Sequence, residues 1–166
     1  MSYEFNKAEC QDNSNMKLFG LCDDNIRQRA YLNEDDGAKW IAVVVNEDRF
    51  NVTFTAIDNC IEIKNNDGKM EKRCDGLLSY QRTAIFVELK ERSGIGNAWV
   101  IDGEKQLRTS IKHFEASEEA DSYSIKKAYI ANSEHPKFKE SQFRRMNQFF
   151  DDTGYVLRIE NRIILE

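Results

Sequence analysis

Only two of the 166 residues are histidine, His113 and His135, and none of the four cysteines stands in a C-x-x-C pair. Zinc modules need thiolate and imidazole ligands clustered at short spacings, so the sequence argues against a zinc site. A single proline and eight glycines leave no linker, low-complexity tract or internal repeat, and the chain reads as one domain over residues 1–166. No apolar run approaches the roughly 20 residues of a membrane-spanning helix. Met1 to Lys7 lacks the basic-then-apolar pattern of a secretory leader. Positive charge is also scarce: 24 Lys and Arg against 29 Asp and Glu leave a net −5. That excludes a chain coated in basic residues for nonspecific nucleic-acid binding, though not a locally basic surface. These absences set the expectation of a soluble protein in a reducing cytoplasm, with Cys10, Cys22, Cys60 and Cys74 as free thiols and no membrane partner.

What is present is enough for a packed interior. Ten Phe, six Tyr and two Trp accompany a 40% hydrophobic fraction, and 166 residues suffice to bury a core. Residues 1–38 are polar and poorly periodic and read as an irregular extension, with a short helix near Ile26 to Tyr31. Residues 39–131 read as the core. Trp40–Val45 and Phe50–Ile57 are strands by β-branched content and alternation, and Cys60–Lys64 leads to a turn at Asp67-Gly68. Met70–Tyr80 and Ala84–Lys90 continue the meander. Arg92–Asn97 is a loop. Gly103–Ala116 is a helix with Leu107, Ile111 and Phe114 at i, i+4 and i+7. Tyr123–Ala131 then returns by a crossover as a strand beside the core. Residues 132–166 hold a second helix, Phe138–Phe150, with Phe138, Phe143, Met146 and Phe149-Phe150 as core candidates. Gly154 ends that helix, and Tyr155–Ile159 with Ile163–Leu165 form a closing hairpin. The fold class is α/β (α+β), a mixed, largely antiparallel central sheet flanked by helices.

One strand carries chemistry. In Ala84-Ile85-Phe86-Val87-Glu88-Leu89-Lys90, side chains alternate between faces, so Glu88 and Lys90 share one face with Phe86. Cys74–Tyr80 precedes it, and Gln81-Arg82-Thr83 is short enough to join the two as a hairpin, which brings Asp75 to the end of the strand that carries Glu88. Two carboxylates and an ammonium then converge. Such a set suits Mg2+ or Mn2+, hard cations that take one or two carboxylates and keep waters or phosphate oxygens. Asp75 and Glu88 can supply the carboxylates and Leu89 a backbone carbonyl. Lys90 can position or deprotonate an attacking water, or offset charge developing on phosphorus.

Asp75, Glu88-x-Lys90 and a glutamine in the following helix, Gln106, resemble the PD-(D/E)xK nuclease superfamily, over about Cys60 to Ala131. Cys74 stands where the superfamily's name has proline. The resemblance implies a restriction-endonuclease-like core and metal-dependent cleavage of DNA or, less often, RNA. It casts Asp75, Glu88, Lys90 and Gln106 as catalytic and Asp75, Glu88 and the Leu89 carbonyl as metal ligands. A fourth acid from the N-terminal part would be Glu34 or Glu62. Candidate phosphate contacts near the helix and the returning strand are Lys105, Arg108, Lys112, Lys126 and Lys127.

Two other readings stand beside this one. Glu88 and Lys90 can be the solvent face of a one-sided sheet with Asp75 a turn acid, since antiparallel sheets alternate in that way. The small, acidic chain can also be a binding protein on the nuclease scaffold, such as an immunity protein or a subunit of a defence complex, with a protein partner in place of nucleic acid.

Overall fold

β-Branched and aromatic runs decide where the sheets form, and short polar turns decide how they connect. The computed structural model describes residues 4–24, 28–92, 96–135 and 142–166. Its strands are β1 (Gln11–Ser14), β2 (Leu18–Cys22), β3 (Tyr31–Asn33), β4 (Ala42–Val45), β5 (Val52–Ala56), β6 (Gly76–Tyr80), β7 (Thr83–Lys90), β8 (Ile125–Asn132), β9 (Val156–Arg158) and β10 (Arg162–Ile164). The α-helices are α1 (Ala98–Glu115), between β7 and β8, and α2 (Phe143–Thr153), between β8 and β9. The result is a mixed α+β fold built on two sheets rather than one central sheet. The larger has the order β1-β5-β6-β7-β8-β9 and the smaller β10-β4-β2-β3. Pairing is antiparallel from β1 to β7, and parallel for β7 with β8 and β8 with β9.

The β6–β7 hairpin turns through Gln81-Arg82, with Gln81 at φ 49° and Tyr80 opposite Thr83. β7 then runs through the middle of the molecule. Its Ala84 and Phe86 pack with Leu107, Ile111 and Phe114 of α1, while Ile85, Val87 and Leu89 pack with Phe19, Val44 and Ile163 of the smaller sheet. With both faces covered, β7 is not the outer strand of a one-sided sheet. α1 is the crossover that makes β8 parallel to β7, as the Tyr123–Ala131 pattern predicts. Gly103 lets α1 approach β8: a Cβ there would lie 3.1 Å from Ile130 Cγ2.

Several expectations change. The N-terminal 38 residues are not an irregular extension; they contribute β1, β2 and β3. β1 is Gln-Asp-Asn-Ser, a run of poor β-formers whose strand conformation comes from pairing with β5. The helix expected near Ile26 to Tyr31 falls partly on residues 25–27, outside the described residues, and Tyr31 begins β3 instead. Cys60–Lys64 and Met70–Asp75 are not strands; a single antiparallel bridge, Lys64 with Met70, closes the turn around Gly68. The Arg92–Asn97 loop includes residues 93–95, and the Phe138 core assignment lies within residues 136–141; both stretches are outside the described residues. Ala98–Asp102 forms the first turn of α1. In α2, Phe149 is fully buried, but Phe143 and Phe150 are exposed rather than core. Gly154 ends α2 in the left-handed conformation at φ 80°.

The closing hairpin also does not form. β9 pairs with β8, whereas β10 pairs in parallel with β4 in the other sheet. The Asn161 carbonyl accepts from Val43 N–H at 2.8 Å and hands the chain across. Leu157 thereby joins the helix-side core, and Ile163 and Leu165 the core between the sheets. Finally, Cys10 and Cys60 are joined by a disulfide and are not free thiols; their Cα atoms are 5.9 Å apart. The turn at Ile57–Ile61 brings Cys60 against the short 3-10 turn that carries Cys10. Cys22 and Cys74 are free and buried. Among the described residues, no helix is long and apolar enough to cross a membrane.

Candidate active site

Register places the two acids. Gly76 faces Val87 at the end of the β6–β7 ladder, so the next step outward sets Asp75 across from Glu88. Directly opposed side chains on paired strands lie within contact range, and like charges there are unfavourable. The structure nevertheless buries both, with Asp75 7% and Glu88 3% exposed. Leu89 N–H donates to Asp75 Oδ2 at 2.7 Å and fixes that carboxyl over the hairpin. Leu89 thus meets Asp75 through its amide.

Lys90 completes the cluster from the same face of β7. Its Nζ lies 3.1 Å from Glu88 Oε2 and donates to Gln106 Oε1 at 3.3 Å. The Lys90 side chain is only 10% exposed. The structure therefore brings together Asp75, Glu88, Lys90 and Gln106, within the body of the fold rather than open to solvent.

Burial pushes the Asp75 carboxyl well above the usual carboxylate range, and the facing Glu88 charge adds to the effect. Burial also raises Glu88, opposed by its contact with Asp75 and by the Lys90 ammonium. Two carboxyls so close in an apolar setting titrate as a pair that retains a proton. Glu88 Oε2 is engaged by Lys90; Glu88 Oε1 is buried and, apart from the contact between the two carboxyls, has no hydrogen-bond partner among the described residues. Ionising both carboxyls in so buried a setting is expensive. A cation bound between the acids would engage Glu88 Oε1 and replace the shared proton. Two carboxylates are what Mg2+ commonly takes from a protein, so the donor set fits a hard divalent cation. Among the described residues, no group of three or more His, Cys, Asp or Glu side chains is gathered to hold a metal.

Residues that sequence reasoning missed support the cluster. Ser110 lies one helical turn beyond Gln106, fully buried, and its Oγ accepts from Cys74 N–H at 3.0 Å. α1 thus grips the hairpin twice at i, i+4 spacing: Gln106 on Lys90 and Ser110 on the amide of Cys74, the residue before Asp75. That spacing was the available signal. Ser110→Ala is expected to destabilise the fold by about 1–3 kcal/mol, because it strands a buried amide; thermal unfolding checks this. Burial raises the Cys74 thiol well above its ordinary range, which keeps it neutral beside the acids.

Further acids also differ from expectation. Glu34 accepts from Ser14 Oγ, and Glu62 pairs with Lys64 on the surface. The acids whose charges reach the pair are Asp23, directly after β2, on Asp75, and Asp58 on Glu88. Asp58 is tied to the buried Arg73 guanidinium at 2.9 Å. Asp23 escaped notice because its strand did.

The five candidate phosphate contacts separate. Lys105 and Lys112 are exposed on α1. Arg108 is held by Glu104 and Asp152 and sits over the Phe149 ring. Lys126 is held by Glu115 at 2.8 Å. β8 places Ile130 opposite Glu88, so Lys127 and Lys126 stand three and four positions away, about 10–13 Å along the strand. Arg108 and Lys126 are thus occupied by the chain's own carboxylates, and the β8 lysines lie toward the other end of the sheet from the acids.

No family model, no curated protein and no solved structure matches the chain.

Proposed function

We propose that the protein is a metal-dependent nuclease that hydrolyses phosphodiester bonds, with DNA favoured over RNA as substrate. The observation that supports this best is the buried Asp75–Glu88 pair, opposed across the hairpin beside Lys90. Carboxyls buried against one another retain a proton or bind a cation, because each charge raises the energy of the other. Asp75, Glu88 and the Leu89 carbonyl would hold Mg2+ or Mn2+. When bound, the ion supplies Lewis-acid polarisation of the phosphodiester and a more acidic water. Lys90 brings a fixed positive charge against developing negative charge, and Gln106 holds its ammonium in place. Access to DNA favours a cytoplasmic setting, although the Cys10–Cys60 bond favours an oxidising one.

A second reading, the immunity protein or defence-complex subunit, draws on the net charge of −5 and on the neutralised Arg108 and Lys126. The test is incubation of the purified chain with linear DNA, circular DNA and RNA, in Mg2+, Mn2+ or EDTA, beside Glu88→Gln. Divalent-dependent cleavage that disappears in the variant is expected. Cleavage in EDTA, or equal cleavage by the variant, would sink the reading. A binding titration in Ca2+ over a salt series discriminates further. A nuclease is expected to bind with affinity that falls as salt rises, through Lys105 and Lys112. No nucleic-acid affinity with or without Ca2+, beside tight binding to a protein, hands the case to the second reading.

A further inference from the structure

We propose that Asn132 is a positioning residue for Lys90: its side chain takes over the sheet ladder where β7 ends and fixes the backbone from which the ammonium reaches Glu88 and Gln106. Lys90 and Asn132 are the last residues of β7 and β8 and oppose one another in the parallel register. Past that pair the backbone ladder stops. The Lys90 carbonyl accepts from Ser133 N–H at 3.1 Å, and His135 N–H turns back onto the Asn132 carbonyl at 3.0 Å. The side chain of Asn132 supplies the missing rungs. Its Nδ2 donates to the Arg92 carbonyl at 3.0 Å, and its Oδ1 accepts from Arg92 N–H at 3.1 Å. A carboxamide carries the same kinds of donor and acceptor as a peptide unit, so it pairs with Arg92 as another strand would. The same Oδ1 accepts from Glu134 N–H at 3.0 Å and closes the turn that follows β8.

Packing alone does not explain an asparagine at this position. Ala128, Ile130 and Asn132 alternate onto one face of β8, and the first two belong to the apolar core under α1. Asparagine is a poor strand former, and a fully buried one is tolerated when its amide is satisfied. Here all three hydrogen bonds go to main chain just past the Lys90 rung. The turn that Asn132 closes also meets the helix, because His135 stacks on Trp99 in the first turn of α1 with ring centroids 5.7 Å apart. Gln106 lies two turns further along that helix. The backbone of Lys90 and the helix that holds its ammonium are therefore tied to the same short segment. Lysine has a flexible four-carbon stem, and contacts of Nζ at 3.1 and 3.3 Å hold only its tip. A displacement of about 1 Å in such a group can cost about 10²-fold in rate.

The inference deepens the nuclease reading and rests on it for turnover, whereas the placement of the ammonium is measured without substrate. In the wild type the Arg92 amide is expected to resist hydrogen exchange although it lies outside β7. With isotopically labelled lysine, and Lys90→Met for assignment, the Lys90 ammonium should give a slowly exchanging magnetic-resonance signal. Asn132→Ala and Asn132→Ser should speed that exchange about tenfold or more. Asn132→Asp keeps the two accepted bonds and loses the donated one, so it should fall between them and the wild type. In cleavage assays the Ala and Ser variants should lose about 10–100-fold in kcat, with KM and Mn2+ affinity within about twofold of wild type. Ile163→Val, in the core between the sheets, controls for stability. It should lower the thermal midpoint and leave the ammonium signal and kcat unchanged. A wild-type chain that cleaves nothing ends the nuclease reading, and the ammonium exchange still decides the role of Asn132. An unprotected Arg92 amide in the wild type overturns the proposal. So does an ammonium indifferent to all three Asn132 variants, or wild-type kcat in Asn132→Ala.

Discussion

Glu88→Gln is expected to reduce divalent-dependent phosphodiester cleavage by about 10³-fold or more, since a metal site supplies several kcal/mol of transition-state stabilisation. The substitution keeps the volume and planarity of the side chain, so no cavity opens at a position that is 3% exposed. What disappears is one of two carboxylates, and with it the anion that holds Lys90 Nζ at 3.1 Å. Lys90→Met tests the other half of the cluster. It retains an unbranched stem in the same space and removes the ammonium, so a fall in kcat of about 10²–10⁴ is expected if Lys90 acts on the attacking water or the developing charge. Measurement under saturating Mg2+ separates that effect from weakened metal binding. Wild-type turnover in Lys90→Met would make the lysine only a counter-charge for Glu88. Wild-type turnover in Glu88→Gln would remove the cluster from catalysis.

The parts of this site that were legible in the sequence are those whose geometry is set over short distances. Alternation along Ala84–Lys90 put Glu88 and Lys90 on one face, and a tight turn at Gln81-Arg82 fixed the register that sets Asp75 across from Glu88. The Leu107, Ile111, Phe114 stripe oriented α1, and with it Gln106 toward Lys90. Burial of the cluster was not legible, because β7 is covered from outside the hairpin. One cover is α1 and the other is a second sheet drawn from both chain ends. In that second sheet β10 has three residues and β2 contains Gly20, where an added Cβ would collide with the Trp40 ring; in the larger sheet β1 is wholly polar and β9 has three residues. Each becomes a strand by pairing with a better one, which local propensity does not report. Long separation hid other contacts for the same reason. Cys10 and Cys60 are 50 residues apart, and Ser110 meets Cys74 across 36.

The metal-free protein should be measurably strained by its acid pair, and the strain should depend on pH. In an unfolded chain Asp and Glu titrate near about 3.9 and 4.3. In the fold Asp75 titrates well above its ordinary value, through burial and the facing Glu88. Between those limits the folded state keeps a proton that the unfolded state has released, so stability falls as pH rises. Below about pH 4 both states are protonated and the penalty is absent; above the folded pKa it is fully present. Asp75→Asn carries no such charge. The stability gap in favour of this variant should therefore widen by up to about 1.4 kcal/mol per pH unit across that window. A bound divalent cation reverses the sign, because it takes the place of the retained proton. At about 100 times its Kd, Mg2+ or Mn2+ is expected to stabilise the wild type by about 2.7 kcal/mol, or about 5–10 °C for a chain of this size. The shift should be larger at pH 8 than at pH 6 and absent in Asp75→Asn. Thermal unfolding of both proteins over a pH series, with and without the ion, reads all of this at once and requires no substrate. Parallel curves for the two proteins, indifferent to Mg2+ and Mn2+, would mean that the carboxyls are held apart by something other than a shared proton and that no cation belongs between them.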